Sequence, residues 1–115
     1  MSLVVVEATV TIADPSTRQA LLEKSVPNQM KTRNDEPGCL AYCWAADPCQ
    51  EDVIQVYELW ESEETLAAHL VHPNYFEMRE LMGAGGLVSA VSRKHRIDAS
   101  APVYGPDHVA TASFD

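Results

Sequence analysis

Apolar and polar side chains alternate along the beginning of the chain. In residues 3–12 every even position from Val4 to Ile12 is apolar, whereas Glu7, Thr9 and Thr11 occupy odd positions. Because successive side chains of a strand point to opposite faces, this period of two predicts a half-buried strand. Similar runs predict three further strands, at residues 39–47, 53–61 and 87–97.

A four-residue apolar spacing predicts a helix after the first strand. Asp14 followed by a proline is typical of a helix start. Leu22, Val26 and Met30 recur every four residues, so we expect them to form a buried stripe up to about residue 34. Pro27 lies inside this segment, and because proline removes an amide donor we expect a kink or two short helices there.

A second helical segment follows the third strand. Ser62 before two glutamates suits a helix start, Pro73 restarts the helix, and the glycine-rich residues 83–86 end it. The resulting order, β-α-β-β-α-β, predicts an α+β fold of the ferredoxin-like kind. In that arrangement helices cover one face of an antiparallel sheet.

The other face of this sheet also needs a cover. In the third strand one face carries Tyr57 and Leu59, and the other carries Val56 and Trp60. Either pair, left bare, would belong to an apolar patch larger than monomers usually expose. We therefore expect a homodimer.

Composition and charge restrict the remaining interpretations. A chain of 115 residues with 46% hydrophobic content is one ordinary domain, which we place at residues 1–97, followed by a tail at 98–115 that is an extended arm or a disordered end. The net charge of -9 makes nucleic acid an unsuitable partner. Nowhere in the chain do about 18 apolar residues run together, and its start lacks the basic segment of a signal peptide. We therefore expect a cytoplasmic protein that does not enter a membrane.

Several familiar chemical signatures are missing from the sequence. It has no glycine-rich phosphate loop, no G-x-S-x-G elbow and no H-x-x-x-H pair, and the spacing of Cys39, Cys43 and Cys49 matches no common zinc pattern. We therefore expect no metal and no nucleotide cofactor.

Four short segments carry a family resemblance. Residues 36–42 read E-P-G-C-L-A-Y, residues 56–62 read V-Y-E-L-W-E-S, residues 68–70 read A-H-L and residues 73–76 read P-N-Y-F. Together they resemble the antibiotic biosynthesis monooxygenase (ABM) domain family over about residues 3–97. The resemblance implies a dimeric α+β barrel, in which the sheets of two subunits pack face to face and each subunit keeps a pocket between its sheet and its helices.

The resemblance also implies an activity. Its oxygenases use no flavin, metal or haem, because an electron-rich quinol, phenol or polyketide-like anthrone itself reduces O2. Such a protein would bind a small aromatic substrate in an apolar pocket and favour its ionised form. His69 is the candidate base, since an imidazole with a reference pKa of ~6.5 accepts a proton near neutral pH. The alternative is a partly buried structural histidine or a dimer contact.

Trp60 is the second candidate catalytic residue. It matches the strand-end tryptophan of the polyketide anthrone oxygenases, whose indole N–H can donate to a substrate oxygen; the alternative is a core residue. Glu58 shares a face with Trp60 and could orient His69, or act as a base if burial raised its pKa, although a structural role is the alternative. Glu7 and Tyr42 are further candidates for the substrate pocket.

Trp44 completes the predicted pocket. Leu40, Tyr42 and Trp44 occupy alternate positions of the second strand, so we expect them on one face.

Two positions depart from the oxygenase pattern. Those enzymes have an asparagine four residues before the tryptophan and a tyrosine six after it, where this chain has Val56 and Leu66. The alternative function is a non-catalytic dimeric module that binds a small molecule or serves a stress response. Haem degradation ranks lower, because the positions that it requires fall near Arg79, His69 and Ala8 and none matches.

Overall fold

The computed structural model describes residues 2–115. A short 3-10 turn at Pro15–Thr17 precedes the first helix, and the regular elements are β1 (Val4–Ile12), α1 (Arg18–Asp35), β2 (Cys39–Ala46), β3 (Val53–Trp60), α2 (Glu63–Leu70), α3 (Pro73–Ala84) and β4 (Leu87–Arg96). The strands form one antiparallel sheet in the order β2-β3-β1-β4. The predicted α+β, ferredoxin-like fold is confirmed.

The hydrophobic core lies between the sheet and the helices. Val4 is paired with Trp60 across β1 and β3, and Val10 is paired with Ile54; all four side chains are buried. The even-numbered residues of both strands therefore face the helices. The period of two predicted that they share a face. Leu66, Met78 and Met82 pack on them from α2 and α3.

A β-bulge changes the side-chain alternation of β2. Cys39 is opposite Trp60 but Ala41 is opposite Leu59, so Leu40 is an extra residue in the ladder. The prediction that Leu40 shares a face with Tyr42 is wrong: Leu40 is 55% exposed, whereas Tyr42 is buried. Because of the extra residue, Cys39 lies on the core side of β2 where Leu40 was expected.

Helix α1 differs from its predicted form in two respects. Of the two predicted alternatives, a kink or two short helices, the second is wrong, because α1 runs through Pro27 as one helix. Pro27 lies on the exposed side, where solvent can reach the carbonyl that loses its amide partner. The predicted stripe is wrong as well, because Val26 is 51% and Met30 49% exposed. The buried positions on α1 are mostly polar: Leu21, Ser25, Asn28, Gln29 and Thr32.

The polar face of α1 exists because it covers the edge strand β2. The Gln29 amide donates to the Trp44 carbonyl at 3.2 Å and accepts from the Trp44 backbone N–H at 3.0 Å. The Arg33 guanidinium donates to the Tyr42 carbonyl at 2.6 Å. These side chains satisfy backbone groups that a neighbouring strand would otherwise bind, which protects the edge.

The turn before β2 is fixed against the start of α2. Ser62 and Thr65 form a full capping box, in which the Ser62 hydroxyl accepts from the Thr65 N–H and the Thr65 hydroxyl accepts from the Ser62 N–H. Gly38 has φ +82°, and a Cβ at this position would collide with the Thr65 side chain. Only glycine therefore fits this approach of the turn to α2.

Strand β4 pairs with β1 along its length, but neither β4 nor the tail after it contributes a side chain to the buried core. Every residue of β4 is exposed. Tyr104 bridges Ala110, and the Thr111 N–H donates to the Val103 carbonyl at 2.8 Å, so part of the tail folds back on itself. The radius of gyration is 15.9 Å, compared with roughly 13 Å for a compact domain of this length. No helix within residues 2–115 has the length and apolar character needed to cross a membrane.

Candidate functional site

A cavity of about 800 Å³ lies between the helix face of the sheet and helices α2 and α3. Its volume is within the range of roughly 300–1,000 Å³ that is typical of ligand pockets. Most of the wall is apolar, with contributions from Val6, Val56, Leu66 and Met78. Such a wall suits a flat, largely apolar ligand that meets only a few polar groups.

A buried pair formed by a carboxylate and an imidazole lies at this wall. Glu36, in the turn before β2, places Oε1 2.7 Å from Nδ1 of His69 on α2. Both side chains are nearly inaccessible, at 3% and 2% exposure. Since a carboxylate accepts hydrogen bonds, we assign the imidazole hydrogen to Nδ1, which leaves Nε2 as the ring nitrogen able to accept a proton.

The second oxygen of Glu36 is also held by the protein. The Asn74 side-chain amide donates to Glu36 Oε2 at 3.1 Å, from the first turn of α3. His72 Nδ1 is 3.9 Å from the same oxygen, too far for a hydrogen bond, and instead accepts from the Asn74 backbone N–H. The two oxygens of Glu36 therefore connect its turn to both α2 and α3.

A second carboxylate, Glu58 on β3, faces His69 from the sheet. Its Oε1 accepts from the Trp60 indole N–H at 2.9 Å and lies 3.9 Å from His69 Nε2. Burial raises the pKa of Glu58 and the negative charge of Glu36 adds to this rise, whereas the hydrogen bond from the Trp60 N–H opposes it. Glu58 Oε2 forms no hydrogen bond to any residue in 2–115.

Aromatic rings enclose the imidazole of His69. The Trp60 ring is tilted against it with centroids 4.6 Å apart, and Tyr42 and Tyr75 meet it edge-on at 5.5 and 5.6 Å. Burial, followed by the charge of Glu58, raises the pKa of Tyr42 far above its usual value, so the phenol remains a hydrogen-bond donor. The nearby Trp44 indole N–H partly offsets the rise in the pKa of Tyr42. The geometry is nevertheless too poor for a hydrogen bond, so this N–H has no acceptor among residues 2–115.

The structure brings most of the predicted site residues together. His69, Tyr42, Trp44 and Glu58 line the cavity. Trp60 is fully buried behind the wall and already donates its N–H to Glu58. Its predicted contact with a substrate oxygen stays a prediction.

Glu7 lies elsewhere. It is exposed on the opposite face of the sheet, where Oε2 is 3.0 Å from Nε2 of His95. Residue 7 has odd parity in β1, and the odd residues face away from the helices, so Glu7 is not part of the cavity wall.

Sequence reasoning did not assign roles to Glu36, Asn74 or Tyr75. The first belongs to the E-P-G segment and the others to P-N-Y-F, so the motifs had marked them without revealing their chemistry. Arg79 of α3 and Lys94 of β4 also line the cavity and bring positive charge to it. Within residues 2–115 no three His, Cys, Asp or Glu side chains converge as metal ligands would.

The fold and cavity define a ferredoxin-like α+β protein with a pocket between sheet and helices. The model of the antibiotic biosynthesis monooxygenase family matches residues 3–81. The chain therefore belongs to this family, as the sequence motifs predicted.

Solved structures show the same fold. A candidate antibiotic biosynthesis monooxygenase from Caulobacter crescentus is 24% identical with a TM-score of 0.75, covering 87% of this chain and 92% of its own. A second, from Deinococcus radiodurans, is 19% identical with a TM-score of 0.74, covering 89% and 99%. A conserved protein from Methanosarcina mazei is 18% identical with a TM-score of 0.71, covering 84% and 93%. No curated protein matches the chain.

Proposed function

We propose that this protein is a cofactor-independent monooxygenase that uses O2 to oxidise a small aromatic quinol, phenol or polyketide-like anthrone. One observation carries the proposal: an imidazole held by a buried carboxylate lies at the wall of an apolar, aromatic-rich cavity. Family membership makes a monooxygenase the appropriate class to test. The cavity volume and wall favour a substrate of two or three fused rings.

His69 begins the reaction by removing a proton from the substrate. Glu36 holds Nδ1–H, so Nε2 accepts the proton from a phenol oxygen or from the acidic carbon of an anthrone. As the proton arrives, the carboxylate stabilises the imidazolium that forms. The resulting anion gives one electron to O2 much more readily than the neutral substrate does.

The electrons and atoms then balance without another reductant. The substrate radical and superoxide combine through a new carbon–oxygen bond, and the proton returns to give a hydroperoxide. Loss of water leaves a carbonyl at the same carbon. For an anthrone, the sum is substrate plus O2 giving quinone plus water, with both hydrogens of the reacting carbon ending in the water.

The polar groups of the wall have separate roles in this proposal. Tyr42 lines the cavity and donates a hydrogen bond to an oxygen of the substrate, while Trp44 contributes its ring to the wall. Trp60 acts as a positioning residue, because its ring supports His69 and its N–H fixes Glu58.

We also propose that the protein works as a homodimer in the cytoplasm. Tyr57 is 48% and Val91 70% exposed, and the strands place both on the sheet face without helices. A second copy packed on this face would cover them. Multi-angle light scattering should give twice the chain mass, and Tyr57→Glu should shift the protein towards the monomer; a wild-type mass of 12.6 kDa would refute the dimer.

Oxygen uptake by the metal-free protein tests the activity. The panel contains quinols, phenols and anthrones, and the variants are His69→Ala, Trp60→Phe and Glu7→Gln. We expect uptake that falls about 10²-fold or more in His69→Ala, falls less in Trp60→Phe and is unchanged in Glu7→Gln. No uptake by the wild type with any compound that binds would refute the monooxygenase.

A second candidate function is a non-catalytic module that binds a small hydrophobic molecule, including one that serves a stress response. Val56 and Leu66 favour it, because they contribute apolar side chains to the wall. Saturable binding without oxygen uptake is the expected result for such a module.

A further inference from the structure

Two titratable groups lie side by side at the cavity wall, and each has one atom left for a ligand. His69 is held at Nδ1 by Glu36, which leaves Nε2. Glu58 is held at Oε1 by Trp60, which leaves Oε2 without a hydrogen-bond partner in residues 2–115. The Nε2 to Oε1 distance of 3.9 Å is too long for the two groups to satisfy each other.

We propose that Glu58 and His69 form an acid–base pair that interconverts the keto and enol forms of an aromatic or dicarbonyl ketone, without oxygen. The inference rests on the proposed function in taking His69 as the base and this cavity as the site. It adds a catalytic role for Glu58 and an activity that involves no electron transfer.

The proton transfer balances within the pair. Nε2 of His69 takes a proton from the carbon next to the carbonyl, and that carbon–hydrogen electron pair forms a carbon–carbon double bond. The carbonyl π electrons move to oxygen, which takes the proton of Glu58 Oε2. The product is the enol, with Glu58 ionised and His69 protonated. Transfer of one proton from His69 Nε2 back to Oε2 of Glu58, relayed by a water in the cavity, restores both groups.

The surroundings of Glu58 suit the role of acid. The Trp60 N–H occupies Oε1, which therefore serves as the carbonyl oxygen of the protonated carboxyl and leaves Oε2 to carry the hydrogen. Burial favours the protonated form, which is available to donate. Tyr42, on the neighbouring strand, is a second donor for the same substrate oxygen.

The substrate class follows from the wall and the pair. An enolate is stabilised by two donors in a site with few other polar groups, so the acidic carbon should lie between a carbonyl and an aromatic ring or second carbonyl. 2-Tetralone meets this description directly. In an anthrone the acidic carbon lies between two aromatic rings and is conjugated with the carbonyl through them, so proton removal at that carbon and proton donation to the oxygen again give the enol, the electron-rich form that reduces O2. Tautomerisation is thus the first half of the proposed oxygenation. It can be measured separately from the second half by removing oxygen from the solution.

The test is hydrogen–deuterium exchange under argon. Anthrone and 2-tetralone are incubated in buffered D2O, and loss of the proton NMR signal of the acidic carbon is followed beside buffer alone. Quenching of tryptophan fluorescence establishes that each probe binds, and oxygen uptake is measured in parallel aerobic samples. The variants are Glu58→Gln, His69→Gln and Trp60→Phe, with Glu7→Gln as the control on the far face of the sheet.

We expect wild-type exchange to exceed the buffer rate by about 10²-fold or more, and each substitution at Glu58 or His69 to remove most of it. A pH profile separates catalysis from a structural effect. The wild-type rate should fall as the pH rises and Glu58 ionises. This falling limb of the pH profile should be absent from Glu58→Gln. Because the Trp60 N–H lowers the pKa of Glu58, Trp60→Phe should move the limb to higher pH.

The other charged groups of the site are Glu36 beside His69, and Arg79, Arg93 and Lys94 in the cavity wall. All are retained in every variant, so they do not account for a limb that disappears. Exchange at the buffer rate with a bound probe, or equal exchange in wild type and Glu58→Gln, would overturn the inference, as would failure of every carbon acid to bind. Oxygen uptake with either result leaves the monooxygenase proposal standing, and exchange without uptake refutes that proposal alone.

Discussion

Replacement of Glu36 by glutamine is the most incisive perturbation of the site. The two side chains have nearly the same shape, and the buried position gives little room for another arrangement. In the variant, the glutamine oxygen should keep the hydrogen bond from Asn74, so its NH2 group points at His69 Nδ1. An NH2 group only donates, which forces the imidazole hydrogen onto Nε2. His69 then has no free nitrogen with which to accept a substrate proton.

The size of the effect follows from this loss. A positioned general base contributes about 10²–10⁴-fold to a rate, so we expect kcat for oxygen uptake to fall by that factor, equivalent to roughly 3–5 kcal/mol. Glu36 does not line the cavity, so KM should change little. Steady-state oxygen consumption measures both constants, and near-UV circular dichroism checks that the aromatic residues around His69 keep their packing.

The chain contains a matched control for this experiment. Glu7 and His95 form another carboxylate–imidazole pair, at 3.0 Å, but on the exposed face opposite the cavity. Glu7 lies beside Tyr57 on the proposed dimer face, so light scattering must first show that Glu7→Gln is still a dimer. The substitution changes the net charge equally and should then leave kcat unchanged. Wild-type kcat in a folded Glu36→Gln protein would show that His69 does not work through its carboxylate partner.

Three further predictions concern stability. The raised pKa of Glu58 means that the folded protein holds this proton more tightly than the unfolded chain does, so wild-type stability falls as pH rises above the ordinary value of 4.5. The difference in Tm between Glu58→Gln and wild type should therefore shift in favour of the variant from pH 4 to pH 8. The same difference at both pH values would contradict this prediction. Gly38→Ala should lower the unfolding free energy by at least about 1–2 kcal/mol through its positive φ, whereas Gly83→Ala, whose Cβ meets nothing within 4 Å, should not destabilise; thermal melts compare the two. Gln29→Leu should cost about 2 kcal/mol by leaving two groups of the β2 edge unpaired, seen as a lower urea midpoint.

The regular elements could be predicted because their signals are local. The period of two in β1 and β3 identified which side chains share a face, and the break at Pro73 separated α2 from α3. Helix α1 did not follow such a rule. Its apolar residues Val26 and Met30 face outwards because the inward positions hydrogen-bond to the edge strand. That pairing depends on tertiary contacts, which an apolar period does not report.

The site was predictable in its members but not in its connections. His69 and Glu58 could be named from residue type and from a resembling motif, whereas the carboxylate that binds His69 Nδ1 is 33 residues away in the sequence. The odd position of Glu7 in β1 excluded it from the cavity only once the structure showed that the helices cover the face of the even-numbered residues. The bulge at Leu40 likewise carries no sequence mark of its own, yet it decides that Cys39 and not Leu40 lies on the core side.

The turn that contains Glu36 links the fold to the chemistry. Gly38 brings this turn against the start of α2, where an added methyl group would collide with Thr65. Two residues earlier, Glu36 reaches His69 on α2 and Asn74 on α3. The backbone contact and the hydrogen bonds hold the same turn, so a change that moves the turn should disturb the tautomer of His69 before it unfolds the protein. Loss of oxygen uptake in Gly38→Ala at temperatures well below its Tm is the result this coupling requires; full uptake up to the melting transition would refute it.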